Sequence, residues 1–585
     1  MKARIVVGEG SCGLAAGAGA VYSALEALID ANSAAELSIT GCIGICYLEP
    51  IVDLYDTEGK LHRCVQVRPE NAEAIVKAAE SGDYSLVEGI LIKSEDEEFL
   101  TKQTRIALRH CGVINPENID SYIADDGYKA LHKVLTSMSP EEVIEEIKTS
   151  GLAGRGGAGF PTWFKWNAAR QSEGEEKYLI CNADEGDPGA FMDRAVIESD
   201  PHTLIEGMLI AAYAIGAKEA VVYVRAEYPL AIVRLKKAMA EAKERGYLGR
   251  SIMGTDFSCE MRIKAGAGAF VCGEETALIE SLEGNRGMPR LKPPFPAQAG
   301  YWLKPSNINN VETFANVTWI INNGGEAFAA MGTENSKCTK VFAVTGKVKR
   351  GGLVEIPMGK TLREVIFDIA GGVRDGRAFK AVQLGGPSGG CIPERLLDTV
   401  IDYKSLGATG AIMGSGGMVV MDDSTCMVAV AKFFLDFTTK ESCGKCVHCR
   451  IGTKRLSELL QRIVDGKGRE GDTELLEELC VTVKDGALCG LGQSAPNPVL
   501  TTLRYFPEEY EAHIRDKKCP AKQCTALLTY TIDEDKCIGC TMCAKRCPVN
   551  AISGTLKNPH VIDNEVCIRC GQCYHACRFN AVELD

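Results

Sequence analysis

The sequence predicts a multidomain chain that mixes α/β and α+β units. Three observations predict it: the length, the crowding of cysteines toward one end, and glycine-rich loops set between strand-like and helix-like runs. At 585 residues the chain exceeds the size at which a single hydrophobic core stops growing. The pattern divides it into 1–85, a linker over 86–135, a core over 136–335, then 336–425, 426–515, a second linker over 516–530, and 531–585. Hydrophobic content of 45% and a mean hydropathy of -0.04 are those of an ordinary soluble protein. The longest apolar stretches, such as 208–217, are too short to cross a bilayer, so no membrane span is expected. Residues 1–10 carry no apolar secretory stretch, and a cytoplasmic location is expected. A net charge of -13 argues against nucleic acid, which needs clustered Lys and Arg. In a reducing compartment the 26 cysteines read as metal ligands and not as a disulfide framework.

From the C-terminal end, residues 536–552 (KCIGCTMCAKRCPVNAI) return as 566–582 (VCIRCGQCYHACRFNAV), offset by 30. Each copy reads C-x2-C-x2-C-x3-C, in which three thiolates wrap one cubane and the fourth reaches the other, as in two-cluster ferredoxins. Cys537, Cys540, Cys543 and Cys577 are therefore assigned to one [4Fe-4S] cluster, and Cys567, Cys570, Cys573 and Cys547 to a second. Arg578 stands where the first copy has Pro548, which changes a turn and not a ligand. A structural zinc module needs one tetrahedral set per ion and does not explain a crossed repeat. Upstream, ESCGKCVHCRIG supplies Cys443, Cys446 and Cys449, and the next suitable thiolate is Cys489. A third [4Fe-4S] cluster in a helical segment is the economical reading, with zinc through His448 as its alternative. Residues 513–524 (HIRDKKCPAKQC) fall where a linker should be. A zinc ion on His513, Cys519 and Cys524, with Cys480 as candidate fourth ligand, stands there against two reduced thiols and a helix-end histidine.

In the core, residues 151–166 (GLAGRGGAGFPTWFKW) place Gly154, Gly156 and Gly159 in G-x-G-x-x-G register. The residues before them (PEEVIEEIK) read as an amphipathic helix where a Rossmann loop would follow a strand, so this is not a standard Rossmann fold. Five glycines in nine residues still let backbone amides approach a phosphate or a ring system. Residues 178–194 (YLICNADEGDPGAFMDR) form an apolar strand running into Asn182, Asp184, Glu185 and Asp187, groups suited to ribose, ribityl or isoalloxazine hydrogen bonds. Residues 266–277 (GAGAFVCGEETA) add a second close-approach loop that ends in Glu274 and Glu275. Singly, such acidic pairs are more often solvated or helix N-terminal charges. Their weight comes from the combination.

These three segments, with 286–296 (RGMPRLKPPFP) and 309–316 (NNVETFAN), resemble the flavoprotein subunit of respiratory complex I and its hydrogenase relatives over residues 130–511. The resemblance implies FMN held by Gly154, Gly156, Gly157, Lys165, Asn182, Asp184, Glu185, Gly273, Glu274, Asn309, Asn310 and Thr313. It implies NAD(H) stacked on the flavin at Phe160, Glu275, Lys292 and Phe295, with Asp187 beside the ribose; Glu275 is the candidate catalytic side chain. Three positions depart from the family: Phe270 replaces a Tyr, Asp187 a Glu, and Ala168 a stacking Phe. An acid at 187 opposes a 2′-phosphate by like-charge repulsion, which favours NAD(H) over NADP(H). Residues 341–393, short β-like runs between glycine turns, are similar to the small β-grasp (SLBB-like) domain of these subunits. Residues 2–80 open with ARIVVGEG, then Cys12, then GCIGICYLEPIV with Cys42 and Cys46. They resemble the thioredoxin-like [2Fe-2S] domain of the small partner of that flavoprotein, with Gly17 at the position of the second ligand. Either another group such as Cys64 completes a [2Fe-2S] cluster, or the domain has lost it and serves for docking.

Complex I flavoprotein subunits end soon after the ligand that matches Cys489. The added N-terminal domain and ferredoxin tail are similar to the diaphorase subunit of anaerobic, electron-bifurcating [FeFe] hydrogenases, an architecture shared with NAD-linked formate dehydrogenases. The resemblance implies hydride exchange between NAD(H) and FMN, then single electrons passed to clusters, first to the one on Cys443 through Cys489. The implied partners are a catalytic hydrogenase or formate dehydrogenase subunit, a small thioredoxin-like [2Fe-2S] subunit, and soluble ferredoxin. The contrasting reading is a non-catalytic electron-relay scaffold that binds clusters and no nucleotide.

Overall fold

The computed structural model describes residues 2–29 and 33–584. The chain folds as two units. The first takes in Met1–Arg377, Val382–Gly389 and Glu394–Val420; the second takes in Ala378–Ala381, Gly390–Pro393 and Met421–Asp585.

The first unit opens with a mixed sheet of β1 (Ala3–Gly8), β2 (Ala35–Thr40), β3 (Val52–Tyr55) and β4 (Leu61–Cys64), in the order β2-β1-β3-β4. β1 runs parallel to β2 and antiparallel to β3. Parallel neighbours require a crossover, and the helix Ala18–Glu26 supplies it. Val21 and Leu25 of that helix, with Ile75 and Val76 of the helix Ala72–Ser81, bury Ile5, Val7, Val52 and Leu54. This is the thioredoxin-like arrangement expected of the segment.

The core that follows is a four-stranded sheet, entirely parallel, of β5 (Tyr178–Ala183), β6 (Glu219–Arg225), β7 (Glu260–Gly266) and β8 (Ser306–Asn310), ordered β7-β6-β5-β8. Parallel sheets are covered on both faces, which is why β6 reads EAVVYVR and buries Ala220 through Val224 in succession. The covering helix Pro201–Ile215 leaves only Tyr213 partly exposed, and it packs on the helix Val311–Asn323. Its ends are written locally. Asp200 caps the start by accepting from Thr203 N at 3.1 Å, and Gly216 takes the left-handed conformation that ends it. The glycine loop follows a helix, Pro140–Ser150, opened by a Ser139/Glu142 capping box. Downstream, β9 (Thr339–Gly346) and β10 (Gly352–Pro357) form an antiparallel pair, with residues 417–420 parallel to β9.

The second unit is helical at first. Thr453–Val464 places Leu456, Leu459, Leu460 and Ile463 on one face, against Val428 and Leu435 of Met427–Glu441 and Val483 of Asp472–Gly486. It ends in a small two-fold module whose short helices, Met542–Arg546 and Gln572–Ala576, each follow a cysteine loop. Its strands Tyr530–Ile532 and Val582–Leu584 pair antiparallel, as do Ile552–Ser553 and Val561–Ile562. Among the described residues no helix is long and apolar enough to cross a membrane.

Candidate functional site

In the core sheet β5 has β6 on one side and β8 on the other, so strand order reverses there. The crevice beyond the carboxyl ends at such a switch point is where open parallel sheets bind ligands. Pairing sets Asn182 beside Asn310, and Cys181 beside Asn309. Asn182 Nδ2 donates to Gly273 O at 2.9 Å, and Trp166 Nε1 donates to Asn309 Oδ1 at 2.9 Å. Asn310 accepts from Glu312 N at 2.9 Å, capping the helix Val311–Asn323, while its Nδ2 donates to Asp193 Oδ2 at 2.6 Å. The glycine loop lies over these strand ends. Arg155 N donates to Thr313 Oγ1 at 2.9 Å, and a Cβ at Gly156 would stand 3.1 Å from Asn310 Cβ. A Cβ at Gly157 would meet Gly414 at 3.2 Å. At Gly154 and Gly273 it would meet nothing nearer than a carbonyl oxygen at 3.4 and 3.8 Å. The glycines thus bring bare backbone close to amide side chains at the strand ends, a cradle of the kind a flat ring system with polar edges fits.

A chain of charge borders this cradle. Lys165 Nζ donates to Ile308 O at 2.7 Å and to Glu275 Oε2 at 3.0 Å. Lys292 Nζ reaches Glu274 Oε1 and Glu275 Oε1, each at 3.0 Å. Glu274 also caps the helix Glu275–Leu282 through Thr276 N and Ala277 N. Burial works against the charge on Glu275, but Lys165 and Lys292 outweigh it and hold the carboxyl below its ordinary value.

The structure thus gathers Gly154, Gly156, Gly157, Lys165, Asn182, Gly273, Glu274, Asn309, Asn310 and Thr313 around the switch point. Asp184 is buried just past β5. The Glu185 carboxylate accepts from Asp193 N and Arg194 N at the start of the helix Met192–Ser199, and from Tyr228 Oη. Of the residues expected to meet the nicotinamide cofactor, Phe160 and Phe295 are about half exposed, at 48% and 54%. Phe164 was not anticipated. It is 51% exposed and stacks edge-on against Phe160 at 5.6 Å; its four-residue spacing from Phe160 was the available signal. Asp187 accepts from the Ser415 hydroxyl and lies against Gly386. Burial pushes its carboxyl up to about 6, against the pull of Ser415 and Arg225.

In the second unit, Cys537, Cys540, Cys543 and Cys577 line one cavity, and Cys547, Cys567, Cys570 and Cys573 line another. Each repeat sends its fourth cysteine to the other cavity. The buried His560, which the spacing argument missed, lines the first, with Nδ1 3.1 Å from Asn558 O. Cys443, Cys446 and Cys489 surround Cys449, whose thiol is pushed up to about 11 by burial and by these neighbours. The His448 ring lies against Gly486.

Two tighter groups remain. Cys426, His513, Cys519 and Cys524 are all buried, with ligand atoms within 4.8 Å of one another. Cys426 Sγ is 3.7 Å from Cys524 Sγ and 3.4 Å from His513 Nε2, while His513 Nδ1 is held by Glu509 O at 2.7 Å. The expected fourth ligand, Cys480, is corrected to Cys426. Cys480 is buried within the helix Asp472–Gly486 as part of the apolar core. In the N-terminal domain, Cys12, Cys42 and Cys46 form the second group. Cys64 is outside it, at the end of β4 and opposite Val52, which corrects its place as a fourth ligand.

Residues 147–319 match the family model of the Nuo51 FMN-binding domain, and 429–513 match the NADH-ubiquinone oxidoreductase-F iron-sulfur binding region. Residues 530–553 and 560–583 match the 4Fe-4S binding domain. The chain is 62% identical over 459 residues to the NADP-reducing hydrogenase subunit HndC of Solidesulfovibrio fructosivorans, covering 78% of this chain and 93% of that one. It is 48% identical over 415 residues to a second relative, the F-type (F 2) component of the NADH-quinone oxidoreductase of Rhizobium meliloti (strain 1021), covering 71% and 99%. Among solved structures it is similar to an NAD+-reducing [NiFe]-hydrogenase in the air-oxidized state, with a TM-score of 0.62 and 30% identity over 88% of this chain and 85% of that chain.

Proposed function

Because the chain belongs to the family of FMN- and iron–sulfur-binding subunits shared by NADH-quinone oxidoreductases and hydrogenases, we propose that it is the NADH-oxidising subunit of a multisubunit hydrogenase. The observation that carries this is the switch-point crevice, where Asn182, Asn310, the bare glycine loop and the Lys165–Glu275–Lys292 chain meet. FMN, when bound there, exchanges hydride with a nicotinamide and parts with electrons singly. The protein's part is to hold and orient. Gly154 and Gly273 let a ring approach, Asn182 and Asn310 present amides at its edge, and Lys165 with Lys292 fixes Glu275 as an anion. Phe160 and Phe295 offer exposed faces on which a nicotinamide nucleotide can stack.

Asp187 favours NAD(H), since a carboxylate beside the ribose repels a 2′-phosphate. One relative is named as NADP-reducing, so this choice is open to direct test. Three [4Fe-4S] clusters would be held by Cys443, Cys446, Cys449 and Cys489 and by the two crossed cysteine sets of the ferredoxin module, and they would supply one-electron carriers suited to exchange with soluble ferredoxin in a bifurcating scheme. Cys426, His513, Cys519 and Cys524 would hold a zinc ion, which would staple the segment before that module. H2 chemistry belongs to a partner chain, and the hydrogenase names of the relatives favour this over a formate dehydrogenase. Dye reduction by the anaerobically purified chain with NADH or NADPH tests the reading. A higher kcat/KM for NADH is expected; a preference for NADPH would overturn the nucleotide assignment.

A further inference from the structure

We infer that His560 donates through Nε2 to the [4Fe-4S] cluster of Cys537, Cys540, Cys543 and Cys577 and raises that cluster's reduction potential, an inference that rests on the two-cubane reading of the module. The ring is 1% exposed and lines the cavity of those four cysteines. Its Nδ1 is 3.1 Å from Asn558 O, and since a carbonyl only accepts, Nδ1 carries a hydrogen. The ring also lies against Gly554, where a Cβ would stand 2.5 Å from its Cγ, so a side chain there would displace it. Asn558 and Gly554 thus fix the imidazole, and its Nε2 edge is what remains to meet the cavity.

Nε2 is buried and has no hydrogen-bond partner among the described residues. An orphaned nitrogen at such depth is costly, so its partner belongs in the cavity. With the Nδ1 hydrogen committed to Asn558, Nε2 donates only from the doubly protonated ring. A cluster on four thiolates is an anion whose negative charge grows on reduction, and a cation donating to one of its sulfurs favours the reduced form.

The other repeat is built differently. Thirty residues earlier, at the same place in the matching segment, stands Tyr530. Tyr530 is buried too, and its hydroxyl is raised above its ordinary value by burial and then by Cys573, Cys567 and Cys570 of the second set. Each repeat therefore opens with a buried ring beside one cysteine set, a phenol for the second and an imidazole for the first. At the crossing cysteines the backbone donors are alike: Ala551 N lies 3.2 Å from Cys547 Sγ, and Ala581 N lies 3.3 Å from Cys577 Sγ.

The test is an anaerobic potentiometric titration of the full-length chain followed by electron paramagnetic resonance, with iron and acid-labile sulfide counted alongside. Cys540→Ala identifies the signal of the first cluster. His560→Asn keeps a donor for Asn558 O and removes Nε2. It should shift the reduction equilibrium of that signal at least tenfold toward the oxidised form, about 59 mV for one electron, with iron and sulfide unchanged. His560→Gln returns a neutral donor near the place of Nε2 and should recover part of the shift. An unmoved potential in His560→Asn would overturn the inference. Should His560→Asn lose the cluster's iron and sulfide, His560→Gln decides: a lowered potential at full iron supports the inference, and an unmoved potential or a lost cluster overturns it. A Cys540→Ala chain that keeps its iron, its sulfide and every signal would instead overturn the two-cubane reading itself.

Discussion

Glu275 lies 3.0 Å from Lys165 and 3.0 Å from Lys292, so its carboxylate is both charged and fixed in place. Replacing it with Gln keeps the shape and removes the charge that orders the two ammonium groups. Glu275→Gln should lower NADH turnover about 10–100-fold, the cost of a small misplacement, with flavin content near normal. Loss of flavin together with turnover would reassign Glu275 to holding the flavin. Asp187 sets a pH dependence. Its folded value of about 6 lies above that of a free aspartate, so its charge is present above pH 6 and lost as pH falls through it. Preference for NADH over NADPH should therefore shrink below about pH 6, beyond whatever change Asp187→Asn still shows; identical profiles would exclude Asp187 from nucleotide choice. Single residues were legible in the sequence only where chemistry was local. His513, Cys519 and Cys524 share one short segment, but Cys426 lies 87 residues from His513, brought there by folding alone. Glu185 also caps the helix Met192–Ser199, a role that depends on where the following helix begins and so is not carried by the motif itself.

At the scale of elements, the helix Pro201–Ile215 rests on Asp200, which is fully buried and bonded to His110 Nδ1 at 2.7 Å. Burial alone would raise this carboxyl, yet His110, Arg109 and Thr203 bring it down to about 2. With the folded value depressed, its stabilisation is complete above the unfolded value of about 3.9 and is lost as pH falls through about 2. Asp200→Ala strands a buried histidine and removes a cap, and should cost about 3–5 kcal/mol at neutral pH by denaturant titration. A loss under about 1 kcal/mol would show the pair to be incidental. Elements were the most readable level. The amphipathic run PEEVIEEIK marked a helix before the glycine loop, and the two C-terminal repeats carried their own ligand spacing. Strand order was not readable, because β8 joins β5 only after β6, β7 and their helices have been laid down, and nothing in either strand names its partner.

For the whole molecule, the proposed function puts nucleotide chemistry in the first unit and one-electron chemistry in the second. Cys540→Ala removes one ligand from a cavity of the C-terminal module and nothing from the switch-point crevice. NADH-to-dye activity should survive this change while ferredoxin-coupled activity falls to background; intact coupling would take the module out of the electron path. The central claim is that the crevice holds FMN reducible by NADH, and the most direct measurement is an anaerobic NADH titration of the purified chain, following flavin content and absorbance. Stoichiometric FMN that bleaches on addition of NADH is the result expected. A chain that carries no flavin, or one whose flavin NADH leaves oxidised, would contradict it.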